Sequence, residues 1–216
     1  TTGDIALKGT NVNVSGDVPA VTASASNTIF GSNNSLAGAN TATATTSVLL
    51  NAAGNISLDA TIQAAVRTKA DVIAKAIQAV AFGTGNKRGT NTASGNASVT
   101  LKAGKNVSIS GDGAVFIATG KGGGATASDL VTNDTVVGAD VATTNNNTTI
   151  TAGGALSLAA DSGNVYIYNA TSAAYAATAT CKHTNSATFN NKVALSATGT
   201  LNMSGDLIDI IGAYYN

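Results

Sequence analysis

The chain has no tryptophan, and only one cysteine, one histidine, one proline and one methionine among its 216 residues. Glutamate is absent too, so every acidic residue is an aspartate. Each shortage excludes something. A lone Cys181 cannot close an internal disulfide. Glutamate favours helices and aspartate favours turns, so the acidic residues speak for turns. Aromatic residues make up 4% of the chain, which leaves Val, Ile, Leu and Ala to build the core. A wide globular core would recruit Phe and Trp, whereas a tall, thin core of stacked aliphatic side chains needs neither. The formal charge is zero, so no general basic field draws nucleic acid. No stretch approaches the ~20 apolar residues that span a bilayer. There is no initiator Met and no signal sequence, from which a processed chain or a fragment is expected.

What is present is a pattern. Residues 99–120 read VTLKAGKNVSISGDGAVFIATG. Val99 and Leu101, Val107 and Ile109, Val115 and Ile117 form three apolar pairs at even spacing. Ala-Gly-Lys-Asn and Gly-Asp-Gly, both turn formers, lie between them. Period-two alternation predicts strands with one buried face. Three short strands joined by tight turns describe one triangular coil of a parallel β-helix.

The pattern returns four times. Ile150, Leu156, Leu158, Val165 and Ile167 carry it in residues 148–167. Val193, Leu195, Leu201, Met203, Ile208 and Ile210 carry it in 193–210. Val48, Leu50, Ile56, Leu58, Ile62 and Ala64 carry it in 48–64, and Ile5, Leu7, Val12 and Val14 in 5–21. The anchors Leu7, Leu50, Leu101, Ile150 and Leu195 recur roughly every 45–50 residues, within the span of repeat architectures. One coil cannot bury its apolar face alone, so neighbouring copies must cover it. The whole chain, 1–216, therefore reads as one elongated domain with approximate repeats 1–47, 48–97, 98–147, 148–191 and 192–216.

Between the patterned stretches lie intervals rich in Thr, Ala, Ser, Asn and Gly: 21–47, 120–147 and 169–191. Alternation such as Thr41-Ala42-Thr43-Ala44-Thr45 suits strands, with Ala fitting a crowded interior. Each repeat is thus expected to hold one regular coil plus a second coil, or a protruding hairpin, of small residues. Residues 61–82 are ambiguous. Ile62, Val66, Ile73, Ile77 and Val80 fit a helical face, while Ile62, Ala64, Val66, Ala70, Val72, Ala74, Ala76 and Val80 line one face of a strand. The strand reading is preferred, because the equivalent segments of the other repeats read as β.

VTLKAGKNVSISGDGAVFI, TITAGGALSLAADSGNVYI and VLLNAAGNISLDA resemble the filamentous haemagglutinin type of repeat found in two-partner-secreted adhesins of Gram-negative bacteria. The resemblance covers about half of the chain directly. It implies a right-handed parallel β-helix and a secreted, cell-surface role in attachment or in building a surface layer. The repeats are longer than single-coil ones, and no secretion-domain signature is present. A second class is an extracellular filament of β-sandwich subunits, in which one chain donates a strand to the next. A third is a polysaccharide-active β-helix enzyme.

The candidates for chemistry are few. Asp17, Asp112, Asp161 and Asp206 occupy the same kind of turn. Calcium needs several oxygens converging on one point. With two coils per repeat these carboxylates would lie roughly 10 Å apart, too far to share an ion, so turn formation is the expected role. Cys181 and His183 face one side of a strand, but two ligands do not make a zinc site. Asp206 and Asp209 are near in sequence, yet Asp209 alternates with Ile208 and Ile210 and is expected to point outward. No aromatic platform for a sugar is evident. Gly83–Gly89 and Gly120–Gly124, with Lys87, Arg88 and Lys121, do not match phosphate-loop spacing and are expected at loop tips. Asn33, Asn96, Asn133, Asn146 and Asn169 open Asn-x-Ser/Thr triplets, a number that composition alone would generate.

No catalytic, cofactor or metal residue is therefore expected. The first residues carry a strand pattern and the last, LIDIIGAYYN, are apolar and uncapped. Open strand edges call for cover. The expectation is a non-enzymatic extracellular fibre. Its partners would be copies of itself or a continuing chain, together with cell-surface glycans or host cells.

Overall fold

The computed structural model describes residues 1–16, 20–36, 39–68, 71–82, 87–119, 124–130, 135–136, 139–170, 173–178 and 185–214. Among them there are strands and turns and no helix. The chain runs in five successive rungs. The first holds β1 (Ile5–Gly16), β2 (Ala20–Phe30) and β3 (Ser35–Leu36). The second holds β4 (Asn40–Ala52), β5 (Ile56–Thr68), β6 (Asp71–Phe82) and β7 (Lys87–Arg88). The third holds β8 (Asn91–Ala103), β9 (Val107–Gly111), β10 (Ala114–Thr119), β11 (Gly124–Leu130) and β12 (Thr135–Val136). The fourth holds β13 (Asp140–Ala152), β14 (Leu156–Ala160), β15 (Asn164–Ala170) and β16 (Ala173–Thr178). The fifth holds β17 (Ser186–Ala197), β18 (Leu201–Ser204) and β19 (Leu207–Tyr214).

Every ladder among the described residues is parallel, and each joins a strand to its counterpart one rung away. Four sheets result. A long sheet is ordered β17-β13-β8-β4, an alanine sheet β16-β11-β6-β2 and a short sheet β12-β7-β3. An eight-stranded wide sheet has β5 at its centre. Residues 56–60 of β5 pair with β9 and residues 63–67 with β10, so this strand serves both halves of the wide sheet. Antiparallel sandwich pairing, the second architecture expected above, does not occur among these ladders.

Register explains why the motif repeats. Leu50, Leu101, Ile150 and Leu195 are paired in one column of the long sheet. Leu58, Ile109, Leu158 and Met203 form a column of the wide sheet. Two alignments need correction. Leu7 pairs with Leu58, not with the Leu50 column, so the first patterned stretch begins at the second strand of a rung. In 48–64 the third apolar pair is Ala64 and Val66, which align with Val115 and Ile117. Ile62 falls outside the pair and is 53% exposed.

The expected second coil is also corrected. Among the described residues the Thr/Ala-rich intervals form neither a separate coil nor a hairpin. They supply the alanine sheet, the short sheet and the first half of the long sheet, so one repeat is one rung. Hydrogen-bonded side chains on successive rungs are 51, 49 and 45 residues apart. Residues 61–82 are strand where described, in β5 and β6, as preferred over helix.

The interior has two parts. The second half of the long sheet packs on the wide sheet around Val99, Leu101, Val107, Ile109, Val115, Ile117 and their neighbours. The first half packs on the alanine sheet around Ala42, Ala44, Val72, Ala74, Ala76, Ala93, Ala125, Ala127 and Ala142. Strict alternation of buried and part-exposed residues along all of β13 shows one strand serving both parts.

Candidate functional site

The turns stack from rung to rung. The Asn55 N–H donates to Asp4 Oδ1 at 2.6 Å, the Asn106 N–H to Asn55 Oδ1 at 3.2 Å, and the Ala155 N–H to Asn106 Oδ1 at 2.8 Å. Each side-chain oxygen thus caps the backbone of the next rung. Beside this column a Cβ on Gly104 would collide with the Ala53 carbonyl, and one on Gly153 with the Gly104 carbonyl. Only glycine permits that approach.

The turn aspartates are not a column of like residues. The Ser162 N–H donates to the Asp112 carbonyl at 2.8 Å, whereas the Asp161 N–H meets the Gly111 carbonyl and the Asp206 N–H the Gly163 carbonyl. Each repeat is one rung and adjacent rungs are ~4.8 Å apart, so the two-coil premise behind the roughly 10 Å expectation is corrected. Among the described residues no group of three or more His, Cys, Asp or Glu could hold a metal ion. Asp17, Cys181, His183, Lys121, Asn133 and residues 83–86 and 120–123 lie outside the described residues. Lys87 and Arg88 are not at a loop tip: they form β7, paired on both sides in the short sheet.

The triplet asparagines separate. Asn146 is 1% exposed and Asn169 is 0%. Asn169 accepts hydrogen bonds from Thr119 Oγ1 at 3.3 Å and Thr148 Oγ1 at 2.7 Å, and donates to the carbonyls of Asn146 and Lys192. It ties the wide sheet to the long sheet and cannot accept a glycan in the folded chain. Asn96 joins an outer ladder: Asn190 Nδ2 donates to Asn145 Oδ1, and Asn145 Nδ2 to Asn96 Oδ1. Asn33 occupies a turn with φ of 59°.

A second buried amide column closes the alanine side. Asn40 Nδ2 donates to Asn91 Oδ1 at 3.2 Å, and Asn91 Nδ2 to Asp140 Oδ1 at 2.9 Å. Asn40 Nδ2 also reaches the carbonyls of Ala25 and Ile77, on the alanine sheet. The sequence reading passed over these residues, although they recur at the repeat interval. Gln78, fully buried in β6, has no hydrogen-bond partner for either amide atom.

The outer face of the wide sheet holds what the sequence reading did not find. Phe116 and Tyr166 are in register on adjacent rungs. Their ring centroids are 4.9 Å apart and their planes differ by 15°, a stacked pair. Asn164 Nδ2 donates to Tyr166 Oη at 2.6 Å. Tyr168 follows two residues along β15, on the same face by alternation with buried Ile167. Asp209 pairs with Tyr166 from the far side, so it does lie on the outer face as expected. The Phe116–Tyr166 stack escaped detection because its two rings are a full repeat apart.

The fifth rung exposes core positions. Leu201, Ile208 and Ile210 are 41–44% exposed, while their partners Leu156, Val165 and Ile167 are fully buried. No family model, curated protein or solved structure matches this chain.

Proposed function

We propose that this chain is a right-handed parallel β-helix that serves as a structural or adhesive segment of an extracellular fibre, without enzymatic activity. The observation that carries this reading is the rung-to-rung register, with the column Leu7, Leu58, Ile109, Leu158 and Met203 running through all five rungs. Such a stack is quasi-one-dimensional and offers length and outer surface rather than a cleft. The likeness of VTLKAGKNVSISGDGAVFI to surface-adhesin repeats supports the same role and a cell-surface location.

The open ends of the columns support self-association. Leu201, Ile208 and Ile210 hold core positions and remain open to solvent. Burial of apolar surface is worth about 25 cal/mol per Å². The strands that carry these residues have a free hydrogen-bonding edge as well. The occupant that satisfies both needs is another rung of the same pattern. In a preparation of this chain alone, that rung comes from a second copy.

Negative-stain imaging and light scattering of the purified chain test this. End-to-end linear multimers are expected, and Ile208→Asp with Ile210→Asp should return them to single particles. Single compact particles at every concentration overturn the reading. So do multimers indifferent to the double substitution.

A further inference from the structure

We propose that copies of this chain join by strand exchange: β18 and β19 of one copy take the place of β1 on β5 of the next copy, and the displaced β1 leaves the stack. The inference rests on the fibre reading and deepens it, by naming the strand that must move before the open columns are covered.

Among the described residues the wide sheet has strands in all five rungs, the long sheet in the second to the fifth and the alanine sheet in the first to the fourth. Two copies set head to tail on one axis therefore cannot close every face at once. With β1 of the second copy lying on β18 and β19 of the first, the wide sheet continues, but the long and alanine sheets are each one strand short at the seam. With β4 lying on β17 and β2 on β16, those two sheets continue without a break. Leu50 then follows Leu195 in its column, and Ala25 follows Ala176. The wide sheet is left with two claimants for one place: β1 of the second copy, and β18 with β19 of the first.

Register makes the claimants interchangeable. β1 sets Ile5, Leu7, Val12 and Val14 against Ile56, Leu58, Ala64 and Val66 of β5. At the other end of the stack, Leu201, Met203, Ile208 and Ile210 stand in the same four columns. The two sets differ where β1 has Val12 and Val14 and β19 has Ile208 and Ile210. Each isoleucine buries one more methylene, and Ile208 does so in the column of the small Ala64, so the incoming pair fills β5 better than the resident one. β18 and β19 also keep their bonds to β14 and β15 while β5 of the next copy covers their free edge. The exposed core residues Leu201, Ile208 and Ile210 are buried in the same step. Exchange repeated in one direction is a heterologous, open-ended contact, which builds a linear stack.

Disulfide locks on the full chain test the exchange, with Cys181→Ser as the parent throughout. Lys8→Cys with Asp59→Cys ties β1 to β5, and Ser157→Cys with Asn202→Cys ties β14 to β18, each at positions in register on adjacent strands. By light scattering under oxidising conditions, the first lock should abolish multimers until it is reduced, and the second should leave them intact. Val12→Ala loosens β1 without touching β18 or β19, and should lower the concentration at which multimers form about tenfold. Thr45→Cys with Asn190→Cys should cross-link neighbouring copies, because β4 meets β17 at the seam. Multimers that survive the β1 lock, or that are lost to the β18 lock instead, overturn the exchange. So does a Val12→Ala chain that needs a higher concentration, or multimers that Thr45→Cys and Asn190→Cys do not cross-link. In each of those cases the fibre reading stands without exchange, whereas single particles from the unlocked parent overturn both.

Discussion

Leu101 and Ala93 lie on the same strand, both fully buried and both repeated in register on the adjacent rungs. Around Leu101 the neighbours are Val, Ile and Leu from the wide sheet. Around Ala93 they are almost all alanine. The backbone ladder is the same in both places, so hydrogen bonding cannot account for the difference. The thick part draws its stability from buried apolar surface. The thin part buries little per residue, and its sheets are joined by amides, as when Asn40 reaches across to the carbonyls of Ala25 and Ile77. One fold thus uses volume on one side and polar register on the other.

The sharpest way to break this comparison is to exchange the two kinds of residue. Leu101→Ala removes a side chain at the centre of the thick part and should cost about 2–5 kcal/mol, through lost transfer energy and the cavity left behind. Ala76→Leu inserts methylenes into a column of Ala25, Ala76, Ala127 and Ala176 and should cost about 1–3 kcal/mol through overpacking. Urea denaturation of both variants measures the pair. If Ala76→Leu costs nothing, the thin part is loosely packed and the contrast fails.

A smaller effect of opposite sign is expected at Gln78. Its amide is fully buried and unpartnered, a state that costs about 1–3 kcal/mol. Gln78→Met keeps the length of the side chain and removes the polar atoms, so stability should rise by about 1 kcal/mol. A loss instead would mean that an ordered water bonds the amide. The thin part would then depend on hydration as well as on its asparagines.

The same contrast decides what could be read in advance. The thick part was legible because Val99-x-Leu101, Val107-x-Ile109 and Val115-x-Ile117 announce strand and burial together. The thin part was legible only as strand. Alanine alternating with threonine carries no strong burial signal, so its place was mistaken for a second coil. The register of the first repeat was missed because Ile5 and Leu7 look equally like either strand of the motif. Ile62 was counted as core because alternation does not reveal where β5 changes partner from β9 to β10. The Phe116–Tyr166 stack and the Asn40–Asn91–Asp140 column are relations between residues a whole repeat apart. Either could have been found by aligning the repeats at their true period and reading down the columns.

The weakest link in the comparison lies outside both cores. Lys8 Nζ is 3.0 Å from Asp59 Oδ2, and Ser110 Oγ donates to Asp59 Oδ1 at 3.1 Å, so three successive rungs meet at one carboxylate. The hydrogen bond from Lys8, then that from Ser110, holds the Asp59 pKa below the ordinary aspartate value. A carboxylate that is more acidic folded than unfolded adds stability that is fully present above its unfolded pKa. That stability is lost as pH falls through the lower, folded value. The loss should therefore begin below about pH 4 and not near neutrality. The group is exposed, so salt screens it and the effect is small. Asp59→Asn should leave the urea midpoint nearly unchanged near neutral pH and make its fall toward about pH 3 slightly shallower. A midpoint at neutral pH that drops as far as that of Leu101→Ala would show that this surface triad, and not the buried columns, holds the rungs together.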